Sequence, residues 1–173
     1  SKTIPNSDIL INTLSLQESK ESSEIENIIT TQDDLFKSSI DVNVKNIAAK
    51  EVKQYAAALL HGHRLIKESS LLTSNHILAI QAILEPNKSG FRRAMGTVLK
   101  DSQGVVVYLP PQNPQEIIEL MANFDKYVNL SKLHDIDPLI KMAIIHHQFE
   151  SIHPFYDGNG RTGWIINILY LVH

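Results

Sequence analysis

The sequence predicts a mainly α-helical domain carrying one small β-hairpin, on three observations. Apolar residues recur at helical spacing in several separate stretches. Asparagine-proline and aspartate-proline pairs punctuate those stretches where helices begin. One valine-rich segment between two turn-rich runs breaks the helical period and reads as strand. With 173 residues, of which 43% are hydrophobic, the chain can bury one core.

In chain order, residues 1–17 read as an arm of mixed polarity. ESKESSEIENIIT, which follows, places Ile25, Ile28 and Ile29 on one stripe and predicts a short amphipathic helix over about 18–30. IAAKEVKQYAAALLHGHRLIKE predicts a helix over 47–68, and NHILAIQAIL a second one capped by Ser74. EPNKSGFRRAMG is turn-rich, and TVLKDSQGVVVYLPP predicts two short strands around Asp101 to Gly104, closed by Pro110-Pro111. Asn113-Pro114-Gln115-Glu116 supplies an N-cap, a proline at the first helical position and a glutamate at the third, predicting a helix over about 114–130. Asp137-Pro138 starts another, over 138–151, which must stop near Ile152 because the residue before Pro154 is pushed away from helical angles. A last helix restarts after Gly158 and runs to the chain end. No internal repeat is present.

Charge and composition exclude several classes. Sixteen basic against nineteen acidic residues give a net charge of -3, so no global positive field recruits nucleic acid or an anionic membrane. Without cysteine there is neither a disulfide framework nor thiolate chemistry. SKTIPNSDILINTLSLQ has no basic-then-apolar leader pattern, and IINILYLV is too short to span a bilayer, so a cytoplasmic location is expected. The ending ILYLVH has no C-cap glycine or polar tail and reads as a fragment or a truncated copy.

The chemistry concentrates in HPFYDGNGRTGW, residues 153–164, between a helix that ends and a helix that begins. The first turn of a helix has backbone N–H groups without intrahelical partners and the positive end of the dipole, so Gly160, Arg161 and Thr162 are placed to present donors to an anion. Glycine lets a phosphate approach the backbone. Arg161 adds a forked cation, Asn159 a neutral donor, and Asp157 a hard oxygen of the kind Mg²⁺ takes together with phosphates. His153 is the group here suited to accept a proton near neutrality.

FESIHPFYDGNGRTG resembles the signature of the Fic family, usually HPFxxGNGRxxR, whose members transfer AMP from ATP to a hydroxyl side chain of a protein. The resemblance implies a Fic-type helical bundle over residues 46–173, preceded by an N-terminal arm over 1–45, and a chain that uses ATP and Mg²⁺. It implies His153 as the general base toward a Ser, Thr or Tyr hydroxyl, Phe155 as a buried anchor, Asp157 as the Mg²⁺ ligand, and Gly158, Asn159, Gly160 and Arg161 as the binders of the nucleotide's phosphates. The segment around Gly104, Val105, Val106, Val107 and Tyr108 looks like the family's flap, which holds the target as an added strand. Upstream, SSEIEN fits the family's inhibitory pattern, with Ser22, Glu26 and Asn27 in its defined places. In relatives with this helix the glutamate pairs with the signature's second arginine and displaces the ATP γ-phosphate, and in some it takes part in removing AMP. The expected partner is a protein bearing a hydroxyl, with self-modification and homo-oligomerisation left open.

One position departs from the pattern: Trp164 stands where the second arginine belongs, and an indole carries no charge. It reads either as a packing residue or as a changed arginine. The alternative to an autoinhibited transferase is therefore a catalytically impaired nucleotide-binding or interaction domain. Other features read plainly. His146 and His147 point about 100° apart on a helix and, with His134, read as core or surface residues rather than metal ligands. Arg92-Arg93 read as solvent-exposed, and VVVY as a packed strand unless its edge is open.

Overall fold

The computed structural model describes residues 17–25, 27–31, 46–130 and 136–172. They form six helices and one two-stranded sheet: α1 (17–25), α2 (Ile47–Ser69), α3 (Ser74–Leu84), β1 (Leu99–Lys100), β2 (Val106–Tyr108), α4 (Pro114–Asn129), α5 (Pro138–Ile152) and α6 (Asn159–Val172). α2 packs chiefly on α3 and also on α6, α6 packs on α5, and α5 on α4. The buried core between them includes Tyr55, Leu59, Ile80, Phe124, Phe149, Phe155 and Leu169. Gly62 sets how closely α2 approaches its neighbours: a Cβ there would lie 2.7 Å from Ile80 Cδ1 and 2.7 Å from Leu169 Cδ1.

The helix starts follow the capping chemistry. The side chains of Asn46, Thr73, Asn113 and Asp137 each accept a hydrogen bond from a first-turn N–H, and proline opens α4 and α5. The cap of α3 is Thr73, not Ser74. Ser74 is the first helical residue, and its backbone N–H and hydroxyl donate instead to the Asp125 carboxylate at 2.9 and 2.8 Å, tying α3 to α4.

Three other expectations are corrected. The first helix does not reach residue 30: Asn27 takes a left-handed φ of 62° and its N–H bonds back to Glu24 O, so 27–30 leave the helical path. Arg92, expected at the surface, is fully buried. The valine-rich strand is not packed: Val105, Val106, Val107, Tyr108 and Leu109 are all exposed. Among the described residues β2 pairs only with β1, Leu99 opposite Tyr108 and Lys100 opposite Val106 across a bulge, and these residues leave the other edge of the hairpin open. Gly104, at φ 84°, makes its turn with the N–H bonded to Asp101 O. Glu26, His134 and most of the N-terminal arm lie outside the described residues. Among the described residues no helix is long and apolar enough to cross a membrane.

Candidate functional site

His153 ends α5 as its C-cap, in a left-handed conformation with φ 47° and its N–H donating to Phe149 O at 2.9 Å. A non-glycine residue held there costs on the order of 1–3 kcal/mol and persists only where its surroundings enforce it. Arg92 enforces it. Its Nε donates to His153 O at 2.7 Å, its Nη2 to Pro111 O and, at 3.4 Å, to Ile152 O, and its backbone N–H to Pro154 O at 2.9 Å. Next to it, Phe91 stacks on Phe155 with ring centroids 5.6 Å apart. The segment before the hairpin thus clamps the loop that follows α5.

Asn159 closes that loop from the other side. Its Oδ1 accepts from Phe155 N at 3.0 Å and its Nδ2 donates to Phe155 O at 2.9 Å, so this buried amide is spent on loop geometry. Gly158 precedes α6 with φ 77°, and a Cβ there would sit 3.2 Å from Glu85 Cγ, so a side chain would meet both strain and crowding. The first bond of α6 runs from Thr162 N to Gly158 O at 2.9 Å. The N–H groups of residues 159–161 therefore precede the ladder, whereas that of Thr162, expected as an anion donor, is already used.

A cleft of about 490 Å³ gathers His153, Tyr156, and Asp157 through Arg161 with Glu51 from α2, Glu85 from the end of α3, and Ile28. Arg161 is nearly buried and surrounded by acids: Nη2 lies 2.6 Å from Glu85 Oε1, Nη1 3.8 Å from Glu51, and Nη2 3.8 Å from Asp157. Asp157 Oδ1 accepts from Gly158 N at 2.9 Å and Oδ2 is held by Lys88 Nζ at 2.9 Å. Burial raises the Asp157 pKa, but the Lys88 hydrogen bond, the Gly158 N–H and the nearby cations outweigh it, so the carboxyl lies below its ordinary value. For His153 the balance runs to a lower pKa: burial disfavours the imidazolium, the Arg92 charge adds to that, and the Glu150 backbone carbonyl only partly offsets them. The ring is therefore neutral at neutral pH, with its Nδ1 buried and 3.8 Å from the Glu150 carboxylate.

The structure brings His153, Asp157, Gly158, Asn159, Gly160 and Arg161 to one cleft. The flap residues Gly104 to Tyr108 stand apart from it, on the hairpin. Ser22 is buried in α1, its hydroxyl donating to Glu18. Ile28, packed against Ala49 and Val52, brings the segment after α1 to the cleft wall. Trp164 does not line the cleft. It packs between α5 and α6 with its ring 5.1 Å from that of His146, which favours the packing explanation for this position. Arg92, Lys88, Glu85 and Glu51 were not legible as site residues; the Arg92-Arg93 pair was visible, but nothing local marks one of the two as buried.

A profile of the Fic/DOC family matches residues 71–171, and one of the Fic/DOC family N-terminal region matches 1–64. The chain is 29% identical over 110 residues to protein adenylyltransferase fic-1 of Caenorhabditis briggsae, covering 60% of this chain and 21% of that protein. It is 30% identical over 105 residues to protein adenylyltransferase fic-1 of Caenorhabditis elegans, covering 56% and 20%. It thus matches about a fifth of the length of these relatives. Among solved structures, a Fic domain-containing signaling protein from Bacteroides thetaiotaomicron superposes with a TM-score of 0.76 at 18% identity, over 91% of this chain and 62% of that one. Fic-1 from C. elegans superposes with a TM-score of 0.71 at 21% identity, over 99% and 52%. At these identities the structural likeness speaks for the fold.

Proposed function

The chain belongs to the Fic/DOC family, and from that premise we propose that it is a protein adenylyltransferase, moving AMP from ATP to a Ser, Thr or Tyr hydroxyl of a protein. The observation that carries this reading is the gathering of three kinds of group in one cleft: a neutral histidine, an ionised aspartate, and a helix N-terminus with an arginine. In the transfer, the target hydroxyl oxygen bonds to the α-phosphorus as the bond to the bridging oxygen breaks and pyrophosphate leaves. The hydroxyl proton passes to His153 Nε2, Nδ1 being buried. Asp157 suits Mg²⁺ by the chemistry of its oxygens: it is ionised and half-exposed, and among the described residues no three acidic or histidine side chains lie close enough together to hold a metal ion by themselves, so phosphates and water would complete the shell. A bound Mg²⁺ would neutralise charge on the phosphates. The N–H groups of Gly160 and Arg161 would face the phosphates, with Asn159 and Gly158 holding the loop that aims them.

Autoinhibition through Ser22, Glu26 and Asn27 belongs to the same proposal, supported by the placing of Ile28 in the cleft wall. So does recruitment of an extended target segment along β2, supported by the exposure of Val105 to Tyr108 and the open edge.

A second reading, a nucleotide-binding domain without transfer, is favoured by two observations: Arg161 already carries Glu85 at 2.6 Å, and Trp164 supplies no second cation. Mass spectrometry of the purified protein incubated with ATP and Mg²⁺, alone and with candidate targets, separates the two. Added AMP on the protein or a target supports transfer. Saturable ATP binding by calorimetry with no added mass supports the second reading, and neither result sinks both.

A further inference from the structure

Lys88 lies on the turn after α3, 69 residues before Asp157, yet its Nζ bonds Asp157 Oδ2 at 2.9 Å. The other carboxylate oxygen already accepts from Gly158 N. Both oxygens are thus in use, and the two partners are not equally free to let go. The Gly158 N–H is fixed by the backbone. The Lys88 side chain is 57% exposed and its ammonium can move into water without opening any packed surface.

The backbone beneath it is held in place. Gln81, fully buried in α3, donates from Nε2 to Lys88 O at 3.2 Å and to Asp157 O at 3.3 Å, and its Oε1 accepts from Gly90 N at 3.1 Å. One amide therefore staples the Lys88 turn to the Asp157 loop, and only the lysine side chain needs to swing. Glu85, on the same turn, is spent on Arg161.

We propose that Lys88 is a resident counter-cation at Asp157, positioning that carboxylate before nucleotide binds and holding the place that a divalent cation must take from it. This rests on the reading of Asp157 as the metal ligand. Its consequence is ordered loading. A divalent ion alone must displace an ammonium to gain one carboxylate, whereas an ion arriving with a nucleotide brings phosphate oxygens that complete its shell and offer the displaced ammonium a new anion. Lys88 thereby makes the metal site poor for free metal and selective for the metal-nucleotide pair.

The test is Mn²⁺ binding to the nucleotide-free protein, read from the electron paramagnetic resonance signal of free Mn²⁺, for the parent, Lys88→Met, Lys88→Glu and Asp157→Asn. Lys88→Met should bind Mn²⁺ about two- to five-fold more tightly, the range expected from removing one exposed ion pair. Lys88→Glu, which adds a carboxylate, should bind more tightly still, and Asp157→Asn should lose the site. If Asp157→Asn loses the site while Lys88→Met binds no better than the parent, the counter-cation role is wrong and the metal seat stands. If Asp157→Asn binds Mn²⁺ as well as the parent, the metal reading itself fails.

Discussion

Arg92 Nε donates to the carbonyl oxygen of His153 at 2.7 Å, and through that bond a residue before the hairpin holds the histidine at the heart of the cleft in a left-handed conformation. The guanidinium is fully buried and bonds backbone carbonyls of Ile152, His153 and Pro111 rather than a carboxylate. Only a planar, forked donor set reaches three carbonyls from one point.

Arg92→Met should lower stability on the order of 3 kcal/mol, because it leaves buried carbonyls without donors. Arg92→Lys should recover only part of that, since an ammonium cannot span the three acceptors. Chemical denaturation of the parent and both variants measures it. Equal stability of all three would mean that the loop is held by Asn159 and the Phe91–Phe155 stack alone.

His153 leads to a pH prediction whose sign follows from its lowered pKa. Below the ordinary value of 6.5 the unfolded chain takes up a proton that the buried ring resists, so stability falls as pH drops from there through the lower folded pKa. The same ring is the base in the proposed transfer, so the transfer rate should hold to below pH 6.5 before its acid limb begins. His153→Asn, a residue that tolerates left-handed angles, should abolish transfer, keep nucleotide binding and flatten this part of the stability-pH curve. Melting temperatures across pH 5 to 7.5 for parent and variant would contradict the assignment if their difference did not change with pH.

Trp164 and Glu26 should couple. Glu26→Gly alone should activate only weakly, since the freed cleft still lacks the second cation. Trp164→Arg alone should stay quiet, and the pair should be the most active. A charge-assisted contact is worth about 1.5–3 kcal/mol, so the interaction energy in a double-mutant cycle of transfer rates is measurable. Trp164→Arg also gives up the tilted ring contact with His146 and should unfold at lower denaturant. A Glu26→Gly variant as active as the pair would show that Arg161 suffices for the phosphates.

The hairpin supplies a separable function. Val107 lies in β2 between the two residues paired with β1 and is 63% exposed. Val107→Pro should lower transfer to a protein target by about tenfold or more while leaving ATP affinity unchanged, because proline removes a backbone donor from the strand that would receive the target and touches no cleft residue. A parallel loss of both, by kinetics and calorimetry, would make the hairpin a structural support of the cleft.

The sequence by itself determined the helices from Ile47 onward, the hairpin and the loop of residues 153–161, because these depend on local physics. Periodicity, Asn-Pro and Asp-Pro starts and glycine-rich turns act within a few residues of where they are read. The cluster from His153 to Arg161 was legible for the same reason, its members being contiguous and flanked by two helix ends. Tertiary structure decided the rest. Arg92 and Arg93 are identical neighbours in sequence, and only the packing of Phe91 on Phe155 turns one inward and leaves the other out. Nothing near Lys88 announces Asp157, and nothing near Glu51 or Glu85 announces Arg161; these charges meet because α2 and α3 pack beside α6. Trp164 shows the division at one residue. Its place in the motif was readable, but that its ring lies on His146 instead of facing the cleft depends on how α5 and α6 cross, and an interhelical contact leaves no mark on the local sequence.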